Sequence, residues 1–225
     1  MEYLRSLTLA ILDSGAVLDH EQVWTSLYAS GRTPWDTGRP ASQLVEYTAA
    51  EDVSGLRAVE LGCGTGASCV HLAVCGCSLV VGVDVAAPAV AAAEARAAAA
   101  GVSERCVFVR ADALTLRPEA LLALVATRYG DAFNNFDLCF DCRGLQVLWA
   151  AAPDRAGCGL ARLLAPGATV LTVSGNANEY RAYTGGETAL TCAELVGALA
   201  PPAFDLLSLR ETRFDAGVLC LRPAQ

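Results

Sequence analysis

Val59-Glu60-Leu61-Gly62-Cys63-Gly64-Thr65-Gly66 runs from apolar residues through an acid into glycines at alternate positions, and Val80-Val81-Gly82-Val83-Asp84 follows downstream. Together they read as a strand, a tight turn, a helix and a second strand ending in a carboxylate. Glycines let the backbone approach a ligand with no Cβ in the way, and Asp84 can accept hydrogen bonds from ribose hydroxyls. The geometry suits a nucleoside cofactor. Helix capping, for a helix starting near Ala87, is the alternative use of Asp84.

From residue 57 onward, strand and helix signals alternate, which argues for a parallel sheet covered by helices on both faces. Strands are expected at 57–61, 79–83, 106–110, 136–141, 168–174, 204–210 and 216–222, and helices at 66–75, 87–100, 117–128, 153–164 and 191–199. Only a short polar stretch, Glu211 to Asp215, separates the last two strands, so they should pair antiparallel. The expected fold is therefore α/β: a Rossmann-like, seven-stranded, mostly parallel sheet with helices on both faces and an antiparallel C-terminal hairpin strand. Residues 1–50 read as a helical N-terminal extension, with apolar residues at near-helical spacing from Val17 to Tyr28, a Gly/Pro-rich loop from Gly31 to Pro40, and a helix capped by Ser42. Residues 51–225 form the main domain.

Hydrophobic residues make up 54% of the 225, much of it alanine, and the mean hydropathy is positive. No apolar run approaches the ~18 residues that a membrane span requires. The longest candidate, Val85 to Ala100, is interrupted by Pro88, Glu94 and Arg96, so no membrane role is expected. The N-terminus lacks a basic segment followed by an apolar stretch and cleavage site, so secretion is not expected. Ten cysteines are present. Cys69, Cys106, Cys139 and Cys220 lie in apolar runs, Cys75-Gly76-Cys77 is too closely spaced for a zinc pair, and Cys139–Cys142 is a C-x-x-C with no histidine nearby. Reduced thiols in the cytoplasm and no bound metal are expected. A net charge of −8 with 16 scattered basic residues disfavours nucleic acid and favours a small molecule as partner. His20 and His71 show no partner in sequence that would give them a catalytic role.

Gly62, Gly64 and Ala67 also fit a dinucleotide fingerprint, but Glu60 lies where a pyrophosphate would be repelled. A cofactor with a positive sulfonium and an amino group would tolerate that charge. The pattern E-x-G-x-G-x-G resembles motif I of class I S-adenosylmethionine-dependent methyltransferases. The resemblance implies that Gly62, Cys63, Gly64 and Gly66 wrap the methionine and ribose. Glu60 would orient the loop or the ammonium, or act as a buried structural acid of the same turn. Asp84 and Val85 would border the ribose. Asp112, with Ala113, would meet the adenine amino group.

A narrower likeness spans roughly residues 24 to 215. Trp24, Pro34-Trp35-Asp36-Thr37-Gly38-Arg39-Pro40, the glycine loop and Phe140-Asp141-Cys142-Arg143-Gly144 resemble the thiopurine and thiol (halide) methyltransferase-type branch, in which the W-D-x-G-R-P segment folds over cofactor as a lid. Trp35 would then offer its indole face to the sulfonium or adenine, or anchor the loop to the core. Arg39 would pair with the cofactor carboxylate or substrate, or form a surface ion pair. Asp141 leaves the fourth strand where the methyl faces its acceptor and is the candidate general base, with a turn-forming role as its alternative. Cys142-Arg143-Gly144 departs from the branch's usual order, Gln146 replaces a histidine of some relatives, and Ser174 to Tyr180 is polar, so acceptor identity does not carry over.

The expected reaction is in-line transfer from S-adenosylmethionine to a small-molecule sulfur, nitrogen or oxygen nucleophile, leaving S-adenosylhomocysteine. The alternatives are a protein-lysine methyltransferase, disfavoured by Gly144-Leu145 where an aspartate-x-x-tyrosine ending is expected, a non-catalytic cofactor-binding module, and a nicotinamide enzyme.

Overall fold

The computed structural model describes residues 20–33, 35–130, 135–151, 159–174, 191–199, 204–212 and 216–223. Helices α1 (His20–Ala29) and α2 (Ser42–Ala50) precede β1 (Arg57–Leu61), α3 (Ala67–Val74), β2 (Leu79–Asp84) and α4 (Ala87–Ala99). After a 3-10 turn at Ser103–Arg105 come β3 (Cys106–Arg110), α5 (Pro118–Tyr129), β4 (Phe136–Cys142), α6 (Gly144–Ala151), β5 (Leu164–Ser174), α7 (Cys192–Leu199), β6 (Phe204–Thr212) and β7 (Ala216–Pro223).

The helix starts follow local chemistry. Proline opens α4 and α5, where its missing N–H costs nothing. A capping box starts α7: Glu194 N–H donates to Thr191 Oγ1 at 3.1 Å, and Thr191 N–H donates to Glu194 Oε2 at 2.8 Å. Ser42, expected as a cap, is instead the first residue of α2, and Ala41 before it supplies no side-chain bond.

The strands lie in the order β3-β2-β1-β4-β5-β7-β6. β1 to β5 pair in parallel, while β7 runs antiparallel to both neighbours. The sheet is thus mixed and mostly parallel, with helices flanking it. Alternate strand residues face opposite ways, giving two cores. Val59, Val81 and Cys139 pack on one face with Leu121, Val125 and Leu195. Ala58, Val80, Leu138 and Phe140 pack on the other with Leu44 and Leu72. Chain order reverses between β1 and β4, and such a switch point opens a crevice at the strands' carboxyl ends.

Two elements, α6 and the start of β5, differ from expectation. The helix read over 153–164 is seen only at 159–161, since 152–158 lie outside the described residues. α6 was not anticipated, and it begins where Leu145 N–H donates to Asp141 Oδ1 at 2.7 Å. β5 also starts earlier than expected: Leu164 pairs with Phe136, then the register slips so that Leu138 faces Thr169. Pro166 and Gly167 occupy that irregularity.

Candidate functional site

The elbow between β1 and α3 is built on glycine conformations. Gly62, Gly64 and Gly66 all have positive φ (74°, 54° and 73°). The N–H groups of Gly62 and Cys63 both donate to Val83 O, at 2.7 and 3.0 Å, folding the elbow over the end of β2. Asp84 completes the tie. Its Oδ2 accepts from Gly64 N–H at 2.9 Å and its Oδ1 from Ala86 N–H at 2.9 Å. It therefore fixes the start of α4 and the elbow together, and each oxygen keeps a lone pair for a hydroxyl donor. Burial raises its pKa. Val85 beside it is half-buried, and Cys63 is buried in the elbow.

Glu60 lies beneath this loop, 4% exposed, with Oε2 accepting from Cys69 Sγ at 3.1 Å. Desolvation, reinforced by the neighbouring Asp141 and Asp84, pushes its pKa up to about 8. The sequence suggested a standing negative charge at this position. Burial instead favours the protonated acid at neutral pH.

Across the switch point, the β4–α6 turn closes against the elbow. A Cβ on Gly144 would sit 2.5 Å from Leu61 O and 2.8 Å from Asp141 Oδ1. Arg143 before it holds a φ of 67°, which is uncommon for a residue with a side chain, and donates its N–H to Val173 O at 2.8 Å. Asp141 is buried, with Oδ1 bound by Leu145 N–H and Oδ2 by the Thr172 hydroxyl. Desolvation raises its pKa to about 6. Beside it, Ser174 Oγ donates to the buried Gln146 Oε1 at 3.2 Å.

Asp112 lies two residues past the end of β3, half-buried, its Oδ1 accepting from Leu114 N–H at 2.9 Å in an Asx turn. Ala113 lines a small apolar cavity of about 30 Å³ with Leu61, Leu114 and Leu148.

The N-terminal elements roof the elbow. Trp35 packs edge-on against Trp24 and Tyr28, with ring centroids 5.5 and 6.1 Å apart, and its Nε1 donates to Tyr28 Oη at 3.2 Å. Tyr28 Oη would lie 2.7 Å from a Cβ on Gly64, so the phenol rests on the bare backbone. Arg39 is exposed and forms no ion pair among the described residues. The expected residues other than Arg39 thus gather around the ends of β1 to β4.

Tyr28, Thr65 and Arg96 join that group without having been singled out. Arg96 had a visible signal, a cation in a run of alanines, but its partners are remote in sequence. His71 instead serves a helix contact, its Nε2 lying 2.9 Å from Thr48 Oγ1. The segment from Gly175 to Tyr180 lies outside the described residues. Among the described residues no acid, histidine and cysteine cluster could hold a metal, the eight cysteines are free, and no helix is long and apolar enough to cross a membrane.

Residues 58–167 match the family described as "Methyltransferase domain". The chain is 25% identical over 198 residues to a probable thiol methyltransferase 2 of Arabidopsis thaliana, covering 86% of this chain and 78% of the relative. Its fold is shared with a structure solved for the conversion of a disulfide bond into a thioacetal group during echinomycin biosynthesis (TM-score 0.73, 20% identity, 92% of each chain). It is also shared with the magnesium protoporphyrin IX methyltransferase of Synechocystis PCC 6803 solved with bound SAM (TM-score 0.63, 16% identity, 92% of this chain and 98% of that one).

Proposed function

We propose that this chain is a class I S-adenosylmethionine-dependent methyltransferase, an enzyme transferring a methyl group to a small-molecule nucleophile, a reading that the matched methyltransferase domain and the plant relative support. The observation that supports this most is the buried Glu60 beneath a bare glycine elbow. A buried carboxyl with no cationic partner among the described residues suits a ligand that brings a cation, and glycines at positive φ leave room for it.

In this reading Gly62, Cys63, Gly64 and Gly66 hold the methionine portion, with Glu60 facing its ammonium. Asp84 and Val85 hold the ribose, and Asp112 and Ala113 border the adenine. Trp35 and Arg39 belong to a lid within a 1–50 extension over a 51–225 domain, whose seven-strand order and reversed last strand fit the same reading. A cytoplasmic location accords with the free thiols.

The cofactor supplies an activated methyl on a good leaving group. The protein's own task is to align, cover and exclude water. Asp141 commits each oxygen to one hydrogen bond that shapes the β4–α6 turn, which supports a structural role for it over that of a base. That favours an acceptor that is already a strong nucleophile, a thiolate above all, in line with the name of the plant relative.

Calorimetry with S-adenosylhomocysteine and NAD, followed by labelled methyl transfer to hydrosulfide, small thiols, amines and alcohols, tests the reading. Binding of the nucleoside and transfer to a thiol is the expected result. Uptake of NAD in its place would overturn it.

A further inference from the structure

Arg96 projects from an α4 otherwise made largely of alanine and bridges two loops that α2 and β1 separate in the chain. Its Nε donates to Thr65 O at 2.9 Å, its Nη2 to Thr65 Oγ1 at 3.2 Å, and its Nη1 to Gly38 O at 2.9 Å. The Thr65 hydroxyl passes its own proton to Asp36 Oδ2 at 2.7 Å, while Asp36 Oδ1 accepts from Gly38 N–H at 2.9 Å. The loop at 35–40 is thereby fastened to the glycine elbow at both Asp36 and Gly38. A planar guanidinium with several fixed donors can bridge two carbonyls and a hydroxyl at once, which a single ammonium cannot do in the same geometry.

We propose that Arg96, Thr65 and Asp36 form a latch that holds the 35–40 loop shut on the glycine elbow and sets how long the cofactor stays bound. Arg96 is a positioning residue, acting through the loop without touching the cofactor. The proposal rests on the cofactor reading above. The latch closes the free protein as well, so the two ideas can fail separately. Charge-assisted hydrogen bonds at a partly buried site are each strong enough that losing the fork should speed loop opening by about tenfold or more.

The test compares wild type with Arg96→Met, Arg96→Lys and Thr65→Val. Hydrogen exchange is read at residues 35–40 in the free protein, and stopped-flow tryptophan fluorescence follows S-adenosylhomocysteine association and dissociation. Faster exchange in all three variants is expected, with a dissociation rate raised about tenfold, a largely unchanged association rate and no rescue by lysine. Melting temperature and exchange in the central strands check that the fold is intact. If Arg96→Met does not fold, Thr65→Val, which removes only the shared hydroxyl, carries the same expectation. Unchanged exchange at 35–40, or faster exchange with an unchanged dissociation rate, overturns the latch. A wild-type protein that ignores S-adenosylhomocysteine sinks the functional reading, and the exchange measurement then decides loop closure alone.

Discussion

Asp141, the candidate general base of the sequence, lies near the carboxyl end of β4, and its hydrogen bonds point to a different task. Oδ1 receives the first turn of α6 and Oδ2 receives the hydroxyl of Thr172 on β5. An asparagine can keep both bonds, with its carbonyl accepting from Leu145 and its amide donating to Thr172, while being unable to take a proton. Asp141→Asn is therefore expected to keep a turnover rate close to wild type with a thiol acceptor. If the carboxylate were the base, the loss would be about 100-fold or more, and steady-state kinetics at fixed pH distinguish the two.

At the scale of elements, the β1–α3 elbow and the β4–α6 turn meet where each gives up a side chain. Because a Cβ on Gly144 would strike backbone at Leu61 O, the strands themselves would have to part to admit one. Gly144→Ala is expected to cost about 1–3 kcal/mol, as overpacking does, and to weaken S-adenosylhomocysteine binding by disturbing the elbow. Gly197 in α7 has nothing near its missing Cβ, so Gly197→Ala should be neutral or slightly stabilising. Thermal melting with calorimetry on both variants checks the contrast; equal behaviour would mean the two turns are not packed as described. The elbow was legible in sequence because its acid, its glycines and Asp84 signal through short-range pattern alone. So were the positions of the strands apart from the start of β5, since they depend on apolar runs bounded by turns. α6 was not, because its start depends on Asp141 facing a backbone N–H across a turn. The roof was legible only in part: Trp35 stands out by type, but the contact of Tyr28 with Gly64 and of Arg96 with Gly38 requires the N-terminal helix already docked on α4.

Over the whole molecule, the crevice gathers carboxyls that folding takes out of water, and the sign of the resulting pH dependence follows. Asp141 titrates near 6 and Glu60 near 8, both raised by burial, whereas unfolded carboxyls titrate near 4. Between those values the native protein holds protons that the unfolded chain has released. Stability should therefore fall as pH rises, at most by about 1.4 kcal/mol per pH unit for each group, through Asp141 first and through Glu60 up to about 8. A cationic cofactor prefers the ionised Glu60, so its binding expels a proton below that point and its affinity climbs with pH. Melting curves from about pH 5.5 to 7.5, with and without S-adenosylmethionine, should show the free protein losing stability while the shift given by the ligand grows. Glu60→Gln should flatten the upper part of the first trend and remove the proton release seen by calorimetry in buffers of different ionisation enthalpy. A wild-type protein whose stability is level over that range, or a glutamine variant that still releases the proton, would show that Glu60 is ionised from the start and that the fold does not hold it in reserve for a cation.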